Sequence, residues 1–264
     1  MKVLGIVGNG SETAVTRLAD QLRELGTVGI VTSSSEPAGS TIPTDSTHLT
    51  SFELGENGWR ARGANRSLSD VLDELAPAHD YAVVSGFPEA DIPTISLGDA
   101  DHAGEPLVRV DDADSLEFEA VRDALAGVNE YVTLESLVAR AKRSPDAARS
   151  GAIATFTGRV RAKDSDDDTP TESLEFEKYE GVARTKLDTI REELEAREGV
   201  FAVLMHHRTG VIEYGEDIVF VVVLAGHREE AFRTVEDGIN RLKAEVPIFK
   251  KEVTTDEQFW VHER

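Results

Sequence analysis

The sequence contains no cysteine, so disulfides, thiolate metal sites and cysteine nucleophiles are excluded. Basic residues are also scarce: the 264 residues include 28 Lys and Arg against 50 Asp and Glu, which gives a formal net charge of −22. Nucleic-acid binding is therefore disfavoured, because it requires a basic footprint. No apolar run approaches the roughly 20 residues of a membrane span, and the opening M-K-V-L-G-I-V-G is too short for a signal peptide. We expect a cytoplasmic protein that binds neither nucleic acid nor membrane.

The acidic residues are spread along the whole chain, and only 8 of the 28 basic residues are lysine. Such a charge repels itself and destabilises the folded state at low salt. At 1 M salt the Debye length falls to about 3 Å, which screens this repulsion. The composition is typical of a halophilic protein. An acidic face for one basic partner is the alternative, and the even spread of the acids disfavours it.

Two patterns of predicted elements divide the chain near residue 128. Strands and helices alternate over residues 1–127, which predicts an α/β domain with a parallel sheet. Paired strands with two long helices over residues 128–264 predict an α+β domain. The pattern predicts helices over 13–25, 68–75, 115–125, 133–141, 182–197 and 229–246, and a loop over 32–48.

Cations gather near the end of this acidic chain, beside apolar segments. His227 and Arg228 follow a predicted strand and begin a predicted helix, where free N–H groups and the helix dipole attract anions. Lys243 lies at the far end of that helix, and Lys250 and Lys251 follow it.

Earlier in the chain, Arg159 and Arg161 alternate at the end of a predicted strand, which places both on one side. Each cation alone is more often a solvated surface group, and His227 alone could be a helix cap. Together they predict an anion-binding cleft, in which a lysine could act as acid or base.

Six segments in this half carry a resemblance to a known family. They are G-A-I-A-T-F-T-G-R-V-R (151–161), L-E-F-E-K-Y-E-G-V-A (174–183), H-H-R-T-G (206–210), G-H-R-E-E-A-F (226–232), L-K-A-E-V-P-I-F-K-K-E (242–252) and W-V (260–261). In this order they resemble the large, catalytic subunit of molybdopterin synthase, over about residues 130–264. The resemblance implies that family's fold and its reaction: two sulfurs are installed in cyclic pyranopterin monophosphate to form the molybdopterin dithiolene.

The resemblance also implies partners and site residues. Sulfur would arrive as a thiocarboxylate on the C-terminal Gly-Gly of a small ubiquitin-like subunit, with two large subunits forming a central homodimer within a heterotetramer. No cofactor and no metal are expected. Lys243 and Lys250 match the catalytic lysines, and we hypothesise that Lys243 orients the thiocarboxylate or moves protons. The positions that match substrate-contacting residues are Arg159, Val160, Arg161, His227, Arg228, Lys251 and Glu252.

The first residues, K-V-L-G-I-V-G-N-G-S-E-T, resemble the molybdopterin-guanine dinucleotide biosynthesis adaptor, a P-loop protein. A P-loop requires G-x-x-x-x-G-K-[S/T], whose lysine reaches the phosphates. Here the lysine is absent, the loop is shortened and Glu12 would repel phosphate. We expect a degenerate P-loop-like domain over residues 1–127 that serves as scaffold.

Two other function classes compete with the enzyme. One is a non-catalytic module that binds or carries a pterin, and the other is a nucleotide hydrolase that uses the N-terminal domain. The presence of both Lys243 and Lys250 favours the enzyme, since phosphate binding alone does not require both. Glu12 disfavours the hydrolase.

Overall fold

The computed structural model describes residues 1–33, 50–63, 65–163 and 165–261. The chain divides into two units, Met1–Tyr131 and Val132–Arg264. The boundary predicted between residues 127 and 128 lies just before this division. Most of the predicted loop over 32–48 lies outside the described residues.

The N-terminal unit is built on a parallel sheet of five strands in the order β2-β5-β1-β6-β7. Its elements in chain order are β1 (Lys2–Gly8), α1 (Ser11–Leu22), β2 (Val28–Thr32), β3 (Ser51–Gly55), β4 (Gly58–Arg62), α2 (Leu68–Leu75), β5 (Tyr81–Ser85), β6 (Thr94–Leu97), β7 (Val108–Val110) and α3 (Phe118–Ala126). After Lys2, the central strand β1 is apolar because both sheet faces are covered. Leu4 and Ile6 face α1 and α3, whereas Val3 faces α2.

Two predicted helices differ from the observed ones for local reasons. The helix predicted over 13–25 begins at Ser11 and ends at Leu22, after which the chain tightens into a turn closed by the Gly26 N–H bond to the Leu22 carbonyl. The helix predicted from Ser115 begins only at Phe118, because the Asp112 carboxylate accepts the backbone N–H and hydroxyl of Ser115 and holds it in a turn.

The strands β3 and β4 form an antiparallel hairpin that the sequence pattern did not predict. Asn57-Gly58 lies at its turn, between residues that alternate in polarity, and this is a recognisable hairpin signal. Phe52, Leu54 and Trp59 lie on one face of the hairpin and are mostly exposed.

The C-terminal unit contains two antiparallel sheets, ordered β10-β12-β8 and β11-β9-β13-β14. Its elements in chain order are α4 (Leu134–Lys142), a short 3-10 helix (Ala147–Arg149), β8 (Ala152–Arg159), β9 (Thr171–Lys178), α5 (Glu180–Glu195), β10 (Val200–His207), β11 (Gly210–Glu213), β12 (Asp217–Ala225), α6 (Arg228–Glu245), β13 (Ile248–Thr254) and β14 (Gln258–Val261). A parallel α/β unit followed by an α+β unit confirms the predicted fold class.

The three-stranded sheet forms the centre of this unit, and helices cover both of its faces. The helices α5 and α6 pack on one face around Ile190, Val221 and Leu242, and α4 packs on the other around Leu137 and Phe220. Thr133 caps α4: its hydroxyl accepts the N–H of Ser136, whose side chain accepts the N–H of Thr133.

Pro247 accounts for the end of α6. The preceding residue, Val246, has extended backbone angles, which a following proline favours. In the part of the chain that the structure describes, no helix has the length and apolarity to cross a membrane.

Candidate functional site

The register of β8 and β12 defines two opposite ends of the central sheet. Arg159 pairs with Asp217 at one end, which we call the Arg159 end, and Ala152 pairs with Ala225 at the other. His227 follows Ala225 by two residues, so we call the second end the His227 end. The seven steps from Ala152 to Arg159 span about 23 Å at about 3.3 Å per residue.

Arg159 is fixed at its end of the sheet by two acceptors. Its Nε lies 3.2 Å from the Asp217 carboxylate, and an Nη2 hydrogen bond reaches the Gly215 carbonyl. Its side chain remains 65% exposed, so the guanidinium can still meet a ligand. Arg161 lies beyond the end of β8, so strand alternation does not set its direction relative to Arg159.

Val160, between the two arginines, is a core residue. Its side chain is buried with Leu174, Phe176 and Ile212, where the second sheet packs against the first. Its backbone N–H and C=O are both bonded, to Glu216 and Gly215 respectively, each at 2.9 Å. These bonds give Val160 the role of fixing the arginines on either side of it.

Helix α6 carries Lys243 to the Arg159 end. The helix starts at Arg228 and runs back along β8 and β12, with Gly238 packed close to Val221. The fifteen residues from Arg228 to Lys243 correspond to about 22 Å at 1.5 Å per residue, which matches the length of the sheet. Lys243 is exposed in the last turn of α6.

Lys250 reaches the same end on β13. It pairs with Phe176 on β9 and therefore shares the sheet face that packs on Val160. Glu252, two residues further, lies on that face too, and its carboxylate accepts the Thr171 hydroxyl.

Lys251 lies on the opposite face of β13, because successive side chains of a strand alternate. Its Nζ is 3.2 Å from the Glu175 carboxylate, and both side chains are at least two-thirds buried. Lys251 is therefore separated by the sheet from Lys250 and is already engaged by an acid.

His227 and Arg228 stand together at the other end of the sheet, both exposed. His227 occupies the N-cap position of α6, yet its side chain makes no capping hydrogen bond. A cleft of about 560 Å³ opens here, lined by Gly151, Gly226, His227, Arg228 and Glu229. An imidazole, a guanidinium and the start of an 18-residue helix suit an anion such as a phosphate.

Within a single chain, the predicted site residues thus lie in two separate groups. Lys243, Lys250 and the arginines lie at the Arg159 end, whereas His227 and Arg228 lie at the His227 end, about 23 Å away along the sheet. The expectation of one converging cleft within one chain is not met, because α6 spans the sheet between Arg228 and Lys243.

Two histidines lie at the Arg159 end, the buried His207 and the half-buried His206. The Nδ1 of His207 lies 2.7 Å from the Arg208 carbonyl, and its ring packs edge-on against Phe176. The pKa of His207 is lowered to about 4, chiefly by burial; the Arg208 carbonyl opposes this shift and Lys178 contributes to it. Burial also lowers the pKa of neighbouring His206 to about 4, with added repulsion from Lys178. Both imidazoles are therefore neutral at pH 7.

Sequence comparison identifies the family. A family model described as MoaE protein matches residues 128–245. The probable molybdopterin synthase of Haloferax volcanii is 56% identical over 265 residues, covering 100% of both chains. This chain belongs to the molybdopterin synthase family. The predicted resemblance of the C-terminal half is thereby confirmed.

Two further similarities each cover less than half of this chain. The molybdopterin synthase catalytic subunit of Pyrococcus abyssi is 37% identical over 112 residues, which are 42% of this chain and 74% of that protein. The solved structure of Bacillus subtilis MobB covers 48% of this chain and 99% of its own, with 17% identity and a TM-score of 0.36.

The N-terminal unit of this molybdopterin synthase family member has a very short loop where a P-loop would lie. Only Asn9 and Gly10 separate β1 from α1. Gly8 has φ 108°, and a Cβ there would lie 2.3 Å from the Leu97 carbonyl oxygen, so the chain turns tightly against β6. Two residues are too few to surround phosphates as the eight-residue motif does.

Three acids at the two ends of the molybdopterin synthase domain were missed in the sequence. Asp217 orients Arg159, Glu175 engages Lys251, and Glu230 lies in the first turn of α6. In so acidic a chain, residue type alone gives no signal for them, and their partners are distant in sequence. Among the described residues, no three His, Asp or Glu side chains form a group suited to a metal ion.

Proposed function

We propose that this chain is the catalytic subunit of a molybdopterin synthase. It transfers sulfur from a thiocarboxylated small subunit to cyclic pyranopterin monophosphate and so forms the dithiolene of molybdopterin. The observation that carries the proposal is the full-length relative at 56% identity, together with the position of Lys243 and Lys250 at one end of the same sheet.

The lysine pair supplies what the sulfur-transfer step needs. A thiocarboxylate is an anion, and two ammonium groups beside Arg159 and Arg161 attract and orient it. A lysine near the attacking sulfur can also deliver or accept a proton as the thioester forms and is released. The sulfur comes from the partner, so the absence of cysteine is compatible with this chemistry.

The separation of the two cationic groups supports a site shared between two copies of the chain. A span of about 23 Å exceeds the length of one small pterin. A two-fold dimer repeats every contact twice, so it can place His227 and Arg228 of one copy beside Lys243 and Lys250 of its partner. The phosphate would then be held by one copy and the reacting carbons presented to the other.

A single-turnover assay at high salt tests the enzyme. The protein is mixed with a thiocarboxylated small subunit and cyclic pyranopterin monophosphate, and molybdopterin is followed for wild type, Lys243→Ala and Lys250→Ala. Lys142→Ala, an exposed lysine on α4, is the matched control. We expect product from wild type and Lys142→Ala and a large loss in the two site variants.

The same assay separates the alternative, a module that binds or carries pterin without converting it. Folded wild-type protein that binds the substrate but yields no molybdopterin would establish that alternative and refute the catalytic proposal.

Mixing two inactive variants tests the shared site. His227→Ala and Lys243→Ala homodimers each lack one half of both sites. After subunit exchange in an equal mixture, half of the dimers contain one copy of each variant. Each of these mixed dimers has one intact site out of two, so about a quarter of the wild-type activity should return. No recovery after demonstrated subunit exchange would mean that one copy supplies the whole site.

A further inference from the structure

A second cavity adjoins the His227 cleft, on the other side of His227. It has a volume of about 370 Å³, and the side chains that line it include Arg149, Glu198, Phe201, His227 and Glu230. His227 and Gly226 border both cavities, so a ligand can extend from one to the other. The volume lies within the range of small-molecule sites.

Glu230 carries the unusual feature of this cavity. Its Oε2 is buried and, within the described ranges, has no hydrogen-bond partner. A carboxylate oxygen removed from water without a donor is costly, so the group gains whenever a ligand supplies one. Glu230 lines the cavity and is only half-buried as a residue, so its carboxylate can meet a ligand there.

The backbone that borders this cavity passes close to the Glu230 side chain. Gly199 adopts φ 79°, and a Cβ there would lie 3.3 Å from Glu230 Cγ. The Gly226 N–H bonds to the Gly199 carbonyl at 2.8 Å and closes the cavity wall.

Arg149, the cation that lines this cavity, is already paired. It lies 3.1 Å from the Asp146 carboxylate and over the Phe201 ring, 4.9 Å from its centroid. Glu230 is the lining residue for which the described part of the chain shows a buried carboxylate oxygen without a partner.

We infer that Glu230 binds the aminopyrimidinone edge of the pterin ring. This inference rests on the proposed function. The edge presents a ring N–H beside an exocyclic amino group, two coplanar donors that match the two oxygens of a carboxylate. Residues two apart on a helix point in nearly opposite directions, so Arg228 faces the first cavity and Glu230 the second.

The charges that line the two cavities favour one orientation of the bound substrate. Its phosphate is attracted to Arg228 and His227 and repelled by the acids Glu198 and Glu230, so only the neutral ring enters the second cavity. Recognition of the ring and of the phosphate thus comes from opposite sides of the first turn of α6.

Binding measurements with three probes test the inference at constant high salt: cyclic pyranopterin monophosphate, a phosphate-free pterin such as neopterin, and inorganic phosphate. The variant is Glu230→Gln, which keeps the shape but places an amide against the ring donors. Glu236→Gln, an exposed acid two turns further along α6, is the matched control.

We expect Glu230→Gln to weaken binding of the substrate and of the phosphate-free pterin by about tenfold or more. Binding of inorganic phosphate should be unchanged or tighter, and Glu236→Gln should behave as wild type.

Equal affinity of wild type and Glu230→Gln for both pterins would overturn the inference while leaving the proposed function intact. Failure of wild type to bind the substrate at all would instead refute the proposed function.

Discussion

Acid should destabilise the C-terminal unit through His207. The pKa of this histidine is lowered from 6.5 to about 4 by burial, so the unfolded chain binds a proton that the folded chain excludes. Stability from this group is therefore complete above pH 6.5 and is lost as the pH falls toward 4. At about 1.36 kcal/mol for each unit of pKa, the full loss is about 3 kcal/mol, of which about 2 kcal/mol falls between pH 7 and pH 5.

The measurement is urea unfolding at pH 7 and pH 5 in the same high salt. Trp59→Phe leaves Trp260 as the single tryptophan, so its fluorescence reports on the C-terminal unit. His207→Asn serves as the comparison, because an amide can still donate to the Arg208 carbonyl but does not titrate. The variant should be less stable at pH 7 and should lose about 2 kcal/mol less than its parent on acidification.

The difference between the two proteins isolates His207 from the many carboxylates, which titrate in both. His206, whose pKa is lowered in the same direction, adds to the loss in both. Equal losses in the parent and in His207→Asn would refute the reasoning, since they would show that folding does not exclude a proton from His207.

Three further substitutions have predictable outcomes. Gly8→Ala should cost on the order of 3 kcal/mol of unfolding free energy in the N-terminal unit, because the added Cβ meets the Leu97 carbonyl and φ is 108°; a variant as stable as wild type in urea would contradict this geometry. Thr133→Ala should lower the free energy of unfolding by about 1 kcal/mol through loss of the cap on α4, and Thr133→Ser should restore it. Lys251→Ala should lower the free energy of unfolding by about 1–3 kcal/mol, because it leaves the mostly buried Glu175 carboxylate without its partner, and it should reduce substrate affinity less than Lys250→Ala, because the sheet separates the two side chains; an equal loss of affinity would show that both reach the ligand.

The periodic elements were the most predictable part of the fold. The helix Leu68–Leu75 has the predicted bounds, because a strong apolar period and clear turn residues mark its ends. The start of α3 could not be predicted from its period, since a side chain of Asp112 competes for the backbone of Ser115. The hairpin β3–β4 was not predicted, although Asn57-Gly58 is a turn signal, because its two strands lack a buried face.

The sequence predicted which residues belong to the candidate site but did not predict how they are arranged in space. The sequence placed Lys243 at the far end of a predicted helix and Lys250 after it, and the structure has Lys243 in the last turn of α6 and Lys250 on β13. The alternation of a strand was sufficient to separate Lys250 from Lys251, although the pairing with Glu175 required the fold.

The sequence by itself determined the two domain types, the family and the cations available for an anionic ligand. These follow from local periodicity, from composition and from ordered motifs, which depend on neighbours along the chain. Only the tertiary structure decided which cations share a location, because strand register and helix length connect residues far apart in sequence. The pairing of Ala152 with Ala225 and of Arg159 with Asp217 puts His227 and Lys243 at opposite ends of one sheet, and the same packing leaves a carboxylate oxygen of Glu230 buried without a partner beside His227.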